Sequence, residues 1–151
     1  MAKKKILLLN ALIAVSREGE LGCRRAAVAA ANPHLKSVLT SRANAFAQAA
    51  HELRACLLDL GEVPEALPVP AAGAAPAPQG MIGKHSSDRS IVQAISKREH
   101  AVQRRYARAL RTHVLGSRLR AVVRRQYRGV QVNHELFRVL RQQYRVPQER
   151  P

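Results

Sequence analysis

The pattern that decides the fold lies in residues 88–113, which read DRSIVQAISKREHAVQRRYARALRTH. Apolar residues return at steps of three and four and form one stripe: Val92, Ile95, Val102, Tyr106, Ala109 and Leu110. Steps of this size place side chains on one face of an α-helix. Ser87 or Asp88 is a suitable N-cap, because a short polar side chain can accept a hydrogen bond from the first turn. The stretch therefore predicts an amphipathic helix.

Three other stretches carry the same periodicity. We predict helices over residues 7–31, 33–60 and 118–143 in addition to 88–113. Pro33 suits a first helical turn, where its missing N–H has no helical partner, and Gly61 is a typical residue just beyond a helix end. Gly19 and Gly22 lie on the apolar face of the first helix. Because glycine is a poor helix former, they suggest a close approach of a neighbouring helix.

The segment between the second and third helices, residues 62–87, is rich in proline, alanine and glycine and predicts a flexible crossover linker. It separates two helical hairpins, each with an apolar face. These faces are buried best against each other, so the sequence predicts one all-α domain over residues 1–151. The expected architecture is an up-down four-helix bundle made of two hairpins. Residues 145–151 follow the last helix and are expected to fray.

The composition agrees with an all-α class and places most of the charge in one half of the chain. Apolar residues make up 46% and aromatic residues 3%, so Leu, Val, Ile and Ala must build the core. The formal net charge is +16. From residue 89 onward, sixteen Lys and Arg accompany three acids, whereas residues 1–88 hold ten Lys and Arg and seven acids. This field favours a polyanion or an anionic membrane surface as partner, and a merely solubilising surface is the alternative.

The N-terminus and the cysteines each leave two interpretations open. Residues 1–16 share with secretory signals a run of lysines before a short apolar stretch, but Asn10 interrupts that stretch. We expect a cytoplasmic protein, with export as the alternative. No stretch has the ~20 apolar residues of a transmembrane helix. Cys23 and Cys56 fall on different helices, and we expect reduced thiols, with a disulfide as the alternative.

Four polar residues fall on or near the apolar faces of the predicted helices: Glu20, Glu52, Glu99 and His134. A buried carboxylate needs an opposite charge or a bound cation. Carboxylates and imidazoles that project from four helices hold the di-iron and di-manganese centres of bundle proteins. The alternative is a polar network in the core with Arg42 or Arg98 as the counter-charge. The sequence indicates no partner for four other histidines: His51, His85, His100 and His113.

Short motifs in all four helices resemble a known family. They are LNALI (9–13), EGELG (18–22), LK (35–36), EL (52–53), LG (60–61), EH (99–100), YARAL (106–110), Gln126, HE (134–135), Arg138 and LR (140–141). In this order they resemble the bacterial ferritin-like four-helix-bundle family named domain of unknown function 2383. The resemblance implies a ferritin-like fold, iron or manganese as the metal, and a role linked to stress.

The sequence departs from that family at the metal site. Ser96 stands three residues before Glu99, where the family has an acid, and Cys23 replaces an aromatic residue. A ferritin-type site uses two Glu-x-x-His motifs, but Gln131 stands three residues before His134. We therefore expect a degenerate site that binds iron or manganese weakly at most, and no di-metal oxidase activity. Its ligands would be the four inward residues: Glu20, Glu52, Glu99 and His134.

Arginines concentrate on the predicted outer faces of the last two helices: Arg104, Arg105, Arg108, Arg111, Arg118, Arg120, Arg124, Arg125 and Arg128. A guanidinium can donate two hydrogen bonds to one phosphate. No groove-reading motif is present, so nucleic-acid binding would be independent of base sequence and sensitive to salt. No catalytic triad, phosphate-binding loop or zinc spacing is recognisable. The sequence predicts a non-enzymatic bundle that binds nucleic acid or anionic lipid, or else iron or manganese, with a homo-oligomer as a further expectation.

Overall fold

The computed structural model describes residues 2–62 and 87–145, and these form four α-helices. They are α1 (Ala2–Ala29), α2 (Pro33–Asp59), α3 (Asp88–Arg111) and α4 (Gly116–Arg145). The helices occur in the predicted order. The first begins five residues before its predicted start, and the others begin or end within two residues of prediction. Most of the predicted linker 62–87 and of the predicted tail 145–151 lies outside the described residues.

Local sequence signals set the first and last residues of α2. The Asn32 side chain caps α2 by accepting the Leu35 N–H at 3.0 Å, and Pro33 follows as the first helical residue. At the other end Gly61 has a φ of +81°, which favours glycine. The Gly61 N–H binds the Leu58 carbonyl and the next N–H binds the Leu57 carbonyl, which is a Schellman motif. The predicted stop at Gly61 is confirmed.

The two hairpins pack face to face. Helix α1 pairs with α2 and α3 pairs with α4, and the hairpins meet where α1 packs on α3 and α2 on α4. The Asp88 carboxylate accepts the backbone N–H groups of Ala31 and Asn32 at 2.8 and 3.0 Å. This contact places the start of α3 beside the start of α2. The two helices therefore run in the same direction, and α2 ends at the opposite end of the bundle from the start of α3.

The core is aliphatic, as the composition predicts. Its largest members are Phe46, Tyr106 and Phe137, surrounded by Leu, Ile, Val and Ala from all four helices. Leu60 is exposed, because it is the residue that caps the end of α2. Both cysteines are free thiols, and burial raises the pKa of Cys23 to about 12. No helix among the described residues is long and apolar enough to span a membrane.

Candidate functional site

Glu99 is buried in the bundle and is bound by an arginine. Only 1% of Glu99 and 5% of Arg42 is exposed. The Arg42 guanidinium donates to both carboxylate oxygens, at 2.6 and 2.9 Å, which is the strong bidentate geometry. Its central carbon lies 3.8 Å from the centre of the Phe46 ring. The expected alternative, in which Arg42 supplies the counter-charge, is confirmed for this residue.

The glycines of α1 make room for this arrangement. A Cβ on Gly19 would lie 2.5 Å from the Phe46 ring, so only glycine lets the ring pack flat against α1. A Cβ on Gly22 would collide with the Arg98 guanidinium, whose Nη1 also lies near the Glu18 carbonyl. The packing role predicted for the two glycines is thus confirmed. They allow α1 to approach α2 and α3 closely.

Glu52 belongs to a separate network between α2 and α4. Arg125 donates to one oxygen of its carboxylate, and the Gln126 amide donates to the other at 2.8 Å. The Tyr106 hydroxyl in turn donates to Gln126 at 2.8 Å. The Arg125 hydrogen bond is the main reason that the pKa of Glu52 is lowered. Arg42 and Glu52 are ten residues apart on α2, about 15 Å along the helix axis, so this network is distant from Glu99.

The two remaining predicted ligands have other neighbours. Glu20 forms an i,i+4 ion pair with Arg24 at 2.8 Å on the surface of α1. His134 meets His100 across the α3/α4 seam, with Nδ1 of His100 3.4 Å from Nε2 of His134. The expectation that His100 has no partner is therefore wrong. The hairpin register reveals the pair: Tyr106 lies opposite Gln126, and two turns further both helices bring the histidines together.

The four predicted metal ligands are not brought together. Across residues 2–62 and 87–145 no group of three or more His, Cys, Asp or Glu side chains is arranged to hold a metal ion. Every buried polar side-chain atom of these residues has a hydrogen-bond partner. Three guanidinium groups bind the three carboxylates, so the donor set does not fit a di-iron or di-manganese centre. Helical periodicity predicted the inward face of Glu99, but Glu20, Glu52 and His134 are only half-buried, and periodicity could not place Glu52 at its different height in the bundle.

The predicted basic residues of α3 and α4 are exposed, with two corrections. The exposed ones are Arg104, Arg105, Arg108, Arg111, Arg118, Arg124, Arg125 and Arg128. Arg125 is bound to Glu52, so part of its charge is neutralised. Arg120 is half-buried and donates to the Leu110 and Thr112 carbonyls, where it caps the end of α3. Arg120 therefore stabilises the hairpin and is not part of an outer surface.

Helix α3 carries a continuous cationic row opposite the core. Its members follow at steps of seven, four and three residues and share one face: Lys97, Arg104, Arg108 and Arg111. The row covers residues 97–111, about 21 Å of helix. None of the four forms an ion pair with a described acid, and the only acid within residues 89–111 is the buried Glu99. We call these four residues the α3 cationic row.

The sequence matches a protein family over most of its length. Residues 4–112 match the family described as Domain of unknown function (DUF2383), and the chain belongs to this family. Among solved structures it is similar to Dps92 from Deinococcus radiodurans, with a TM-score of 0.79 and 13% identity over 91% of this chain and 85% of that one. At this identity the similarity shows the fold alone, a ferritin-like four-helix bundle. No curated protein matches the sequence.

Proposed function

We propose that this bundle is a non-enzymatic module that binds phosphate-rich polyanions, with nucleic acid as the favoured ligand. The observation that carries the proposal is the α3 cationic row, which faces solvent without a neighbouring acid. Exposed arginines at the start of α4 extend the positive surface: Arg118, Arg124 and Arg128. The chain's net charge of +16 adds a long-range attraction for the same class of ligand.

The spacing of the row suits a phosphate backbone. Duplex DNA carries one negative charge per ~1.7 Å of its axis, so several phosphates lie within reach of a row about 21 Å long. Arginine forks can bind each phosphate through two hydrogen bonds. Nothing in the row projects a set of side chains that would read base edges, so binding is expected to be independent of base sequence.

The surface suits nucleic acid better than a lipid bilayer. Helices that lie on membranes combine cationic residues with a large apolar face that inserts between lipids. The large exposed apolar residues of the described chain lie on other helices and none lies on α3. The large exposed apolar residues of α4 lie on the C-terminal side of Arg118, Arg124 and Arg128: Val132, Leu136 and Val139. Anionic lipid therefore remains as an outcome of the experiment.

Iron or manganese binding has weaker support as an alternative function. Both metals prefer oxygen-rich sites with several carboxylates. In this chain the three carboxylates predicted as ligands are each paired with a different arginine, and Glu52 lies about 15 Å along α2 from Arg42. For the same reason we propose no di-metal oxidase chemistry.

A salt titration tests the proposal. Binding of a labelled duplex is measured by fluorescence anisotropy from low to high salt, and the log–log slope is expected to be about −0.9 for each phosphate contacted. Arg104→Ala/Arg108→Ala/Arg111→Ala should weaken binding and flatten the slope by about two to three units. The matched control removes three exposed cations from α1: Lys3→Ala/Lys4→Ala/Arg17→Ala.

Two results would contradict the proposal. If both triple variants weaken binding equally, net charge alone attracts the DNA and the α3 cationic row has no special role. If the protein binds no DNA even at low salt, where such contacts are strongest, the nucleic-acid reading is wrong. Vesicles containing anionic lipid, assayed in parallel by co-sedimentation, would then identify a membrane surface as the ligand.

A further inference from the structure

His100 and His134 form an isolated pair of imidazoles on the surface of the α3/α4 hairpin. Nδ1 of His100 lies 3.4 Å from Nε2 of His134, and the ring centres are 5.5 Å apart. His100 is exposed and His134 is half-buried, so solvent reaches the pair. Neither ring makes another hydrogen bond to the described residues. Each ring stands near the middle of a long helix, α3 or α4, and these hold the two nitrogens in register.

The separation of the two nitrogens is long for a hydrogen bond but suits a shared metal ion. Nitrogen donors and their acceptors are normally 2.7–3.2 Å apart, so an N–H···N bond between these rings is weak. Zinc binds imidazole nitrogens at ~2.0–2.1 Å with tetrahedral angles, which places two such nitrogens about 3.3 Å apart. The 3.4 Å gap between the rings therefore matches the bite of one metal ion.

We infer that His100 and His134 form a two-histidine site for a late first-row divalent cation such as Zn²⁺, with water completing the coordination. The ion replaces the proton that the two nitrogens now share. That proton moves to the other nitrogen of the ring that donated it, and the second ring already carries its proton on its far nitrogen, so both imidazoles stay neutral. Imidazole favours Zn²⁺, Cu²⁺ and Ni²⁺ over Mg²⁺ and Mn²⁺, which take oxygen ligands. The site shares His134 with the four-residue site predicted from sequence, but it takes His100 as the second ligand and favours a different metal.

The charged residues beside the pair are Lys97 and Arg104 on α3 and Glu135 and Arg138 on α4. Glu135 follows His134 and is held by Arg138 through hydrogen bonds of 2.6 and 3.1 Å. The two charges of this ion pair offset each other, so the pair adds little net field at His134.

Zinc titration of the full chain without a histidine tag tests the inference. Calorimetry should show one Zn²⁺ bound per chain, and Co²⁺ should give the visible absorption of nitrogen ligation. His100→Ala and His134→Ala should each weaken Zn²⁺ binding at least about tenfold. His51→Ala, which removes an exposed histidine from α2, should leave it unchanged. Zinc should also raise the Tm of the unaltered protein but not that of the two variants.

The inference is overturned if the unaltered protein binds no Zn²⁺, or if His100→Ala and His134→Ala bind it as well as the His51→Ala control. His100→Gln provides a second variant, because it keeps a polar side chain of similar size and so protects the fold. Circular dichroism of each variant checks that the helices are intact. Duplex binding by His134→Ala, which changes α4 and not the α3 cationic row, should match that of the unaltered protein, so the zinc site and the proposed polyanion surface stand or fall separately.

Discussion

Removing Arg42 should destabilise the protein far more than removing any surface arginine. Arg42→Met keeps much of the side-chain volume but deletes both hydrogen bonds to Glu99 and the contact with Phe46. It leaves Glu99 buried with 1% exposure and without a partner charge. Loss of one partner of a buried pair costs about 3–5 kcal/mol, because the remaining charge is still desolvated. For a chain of this size that loss lowers the Tm by about 6–20 °C.

The double variant separates the ion pair from simple packing. Arg42→Met/Glu99→Leu removes both charges and fills the space with apolar atoms, and such replacements are often neutral or stabilising. We therefore expect the double variant to be more stable than Arg42→Met alone. Urea unfolding followed by circular dichroism measures the free energy of unfolding for all members of the cycle. Arg128→Met, on the exposed face of α4, is the matched control and should change stability by less than about 0.5 kcal/mol.

Either of two results would refute this reasoning. A loss below about 1 kcal/mol for Arg42→Met would mean that Glu99 is not held as a desolvated charge. A double variant that loses the sum of the two single losses would mean that the residues do not interact in solution, because contacting residues give non-additive changes.

Two further predictions concern packing and pH. Gly19→Ala should lower the free energy of unfolding by about 1–3 kcal/mol, because its Cβ would overlap the Phe46 ring. Gly129→Ala, which faces open space, should stabilise α4 by up to about 1 kcal/mol. Urea unfolding measures both variants, and equal effects would contradict the close approach of α1 to Phe46. The pKa of Glu52 is lowered below its ordinary value of 4.5, so its contribution to stability is fully present above that pH and is lost as pH falls through the folded-state pKa. Glu52→Gln should therefore flatten the fall of Tm with decreasing pH below about pH 4.5. Glu135→Gln, at an exposed site, is the control and should change that fall less. An unaltered fall of Tm in Glu52→Gln would show that Arg125 does not hold this carboxylate in solution.

The prediction of the metal site shows how far periodicity reaches. Steps of three and four residues identified Glu99 as inward, and it is buried. The same steps could not tell that Glu52 lies about 15 Å further along the bundle axis than the Arg42–Glu99 pair. Nor could they tell which side chain would satisfy each acid, since the guanidinium that binds Glu99 comes from 57 residues away. The iron or manganese site predicted from sequence remains a prediction, because the described residues bring no three of its four ligands together.

The pairing of His100 with His134 depends on the same missing information. Each histidine occupies an ordinary helical position, and nothing in either helix alone indicates a partner. The contact is set by the register of α3 against α4, which the Tyr106–Gln126 hydrogen bond reveals. That register depends on how the core side chains of α3 and α4 interlock, which is a property of the packed helices.

Local physical chemistry alone determined the helices, their ends and the inward faces. The spacing of apolar residues, the helix break at Asn32-Pro33 and the helix end at Gly61 depend on residues within one or two helical turns, so they could be recognised in the sequence. The cationic character of α3 is equally local. Only the tertiary structure decided that Arg42 neutralises Glu99, that Gly19 makes room for Phe46, and that two histidines meet on the surface. Those outcomes depend on the relative height and rotation of neighbouring helices, within one hairpin or between the two, and these are fixed only when the side chains of the helices pack together.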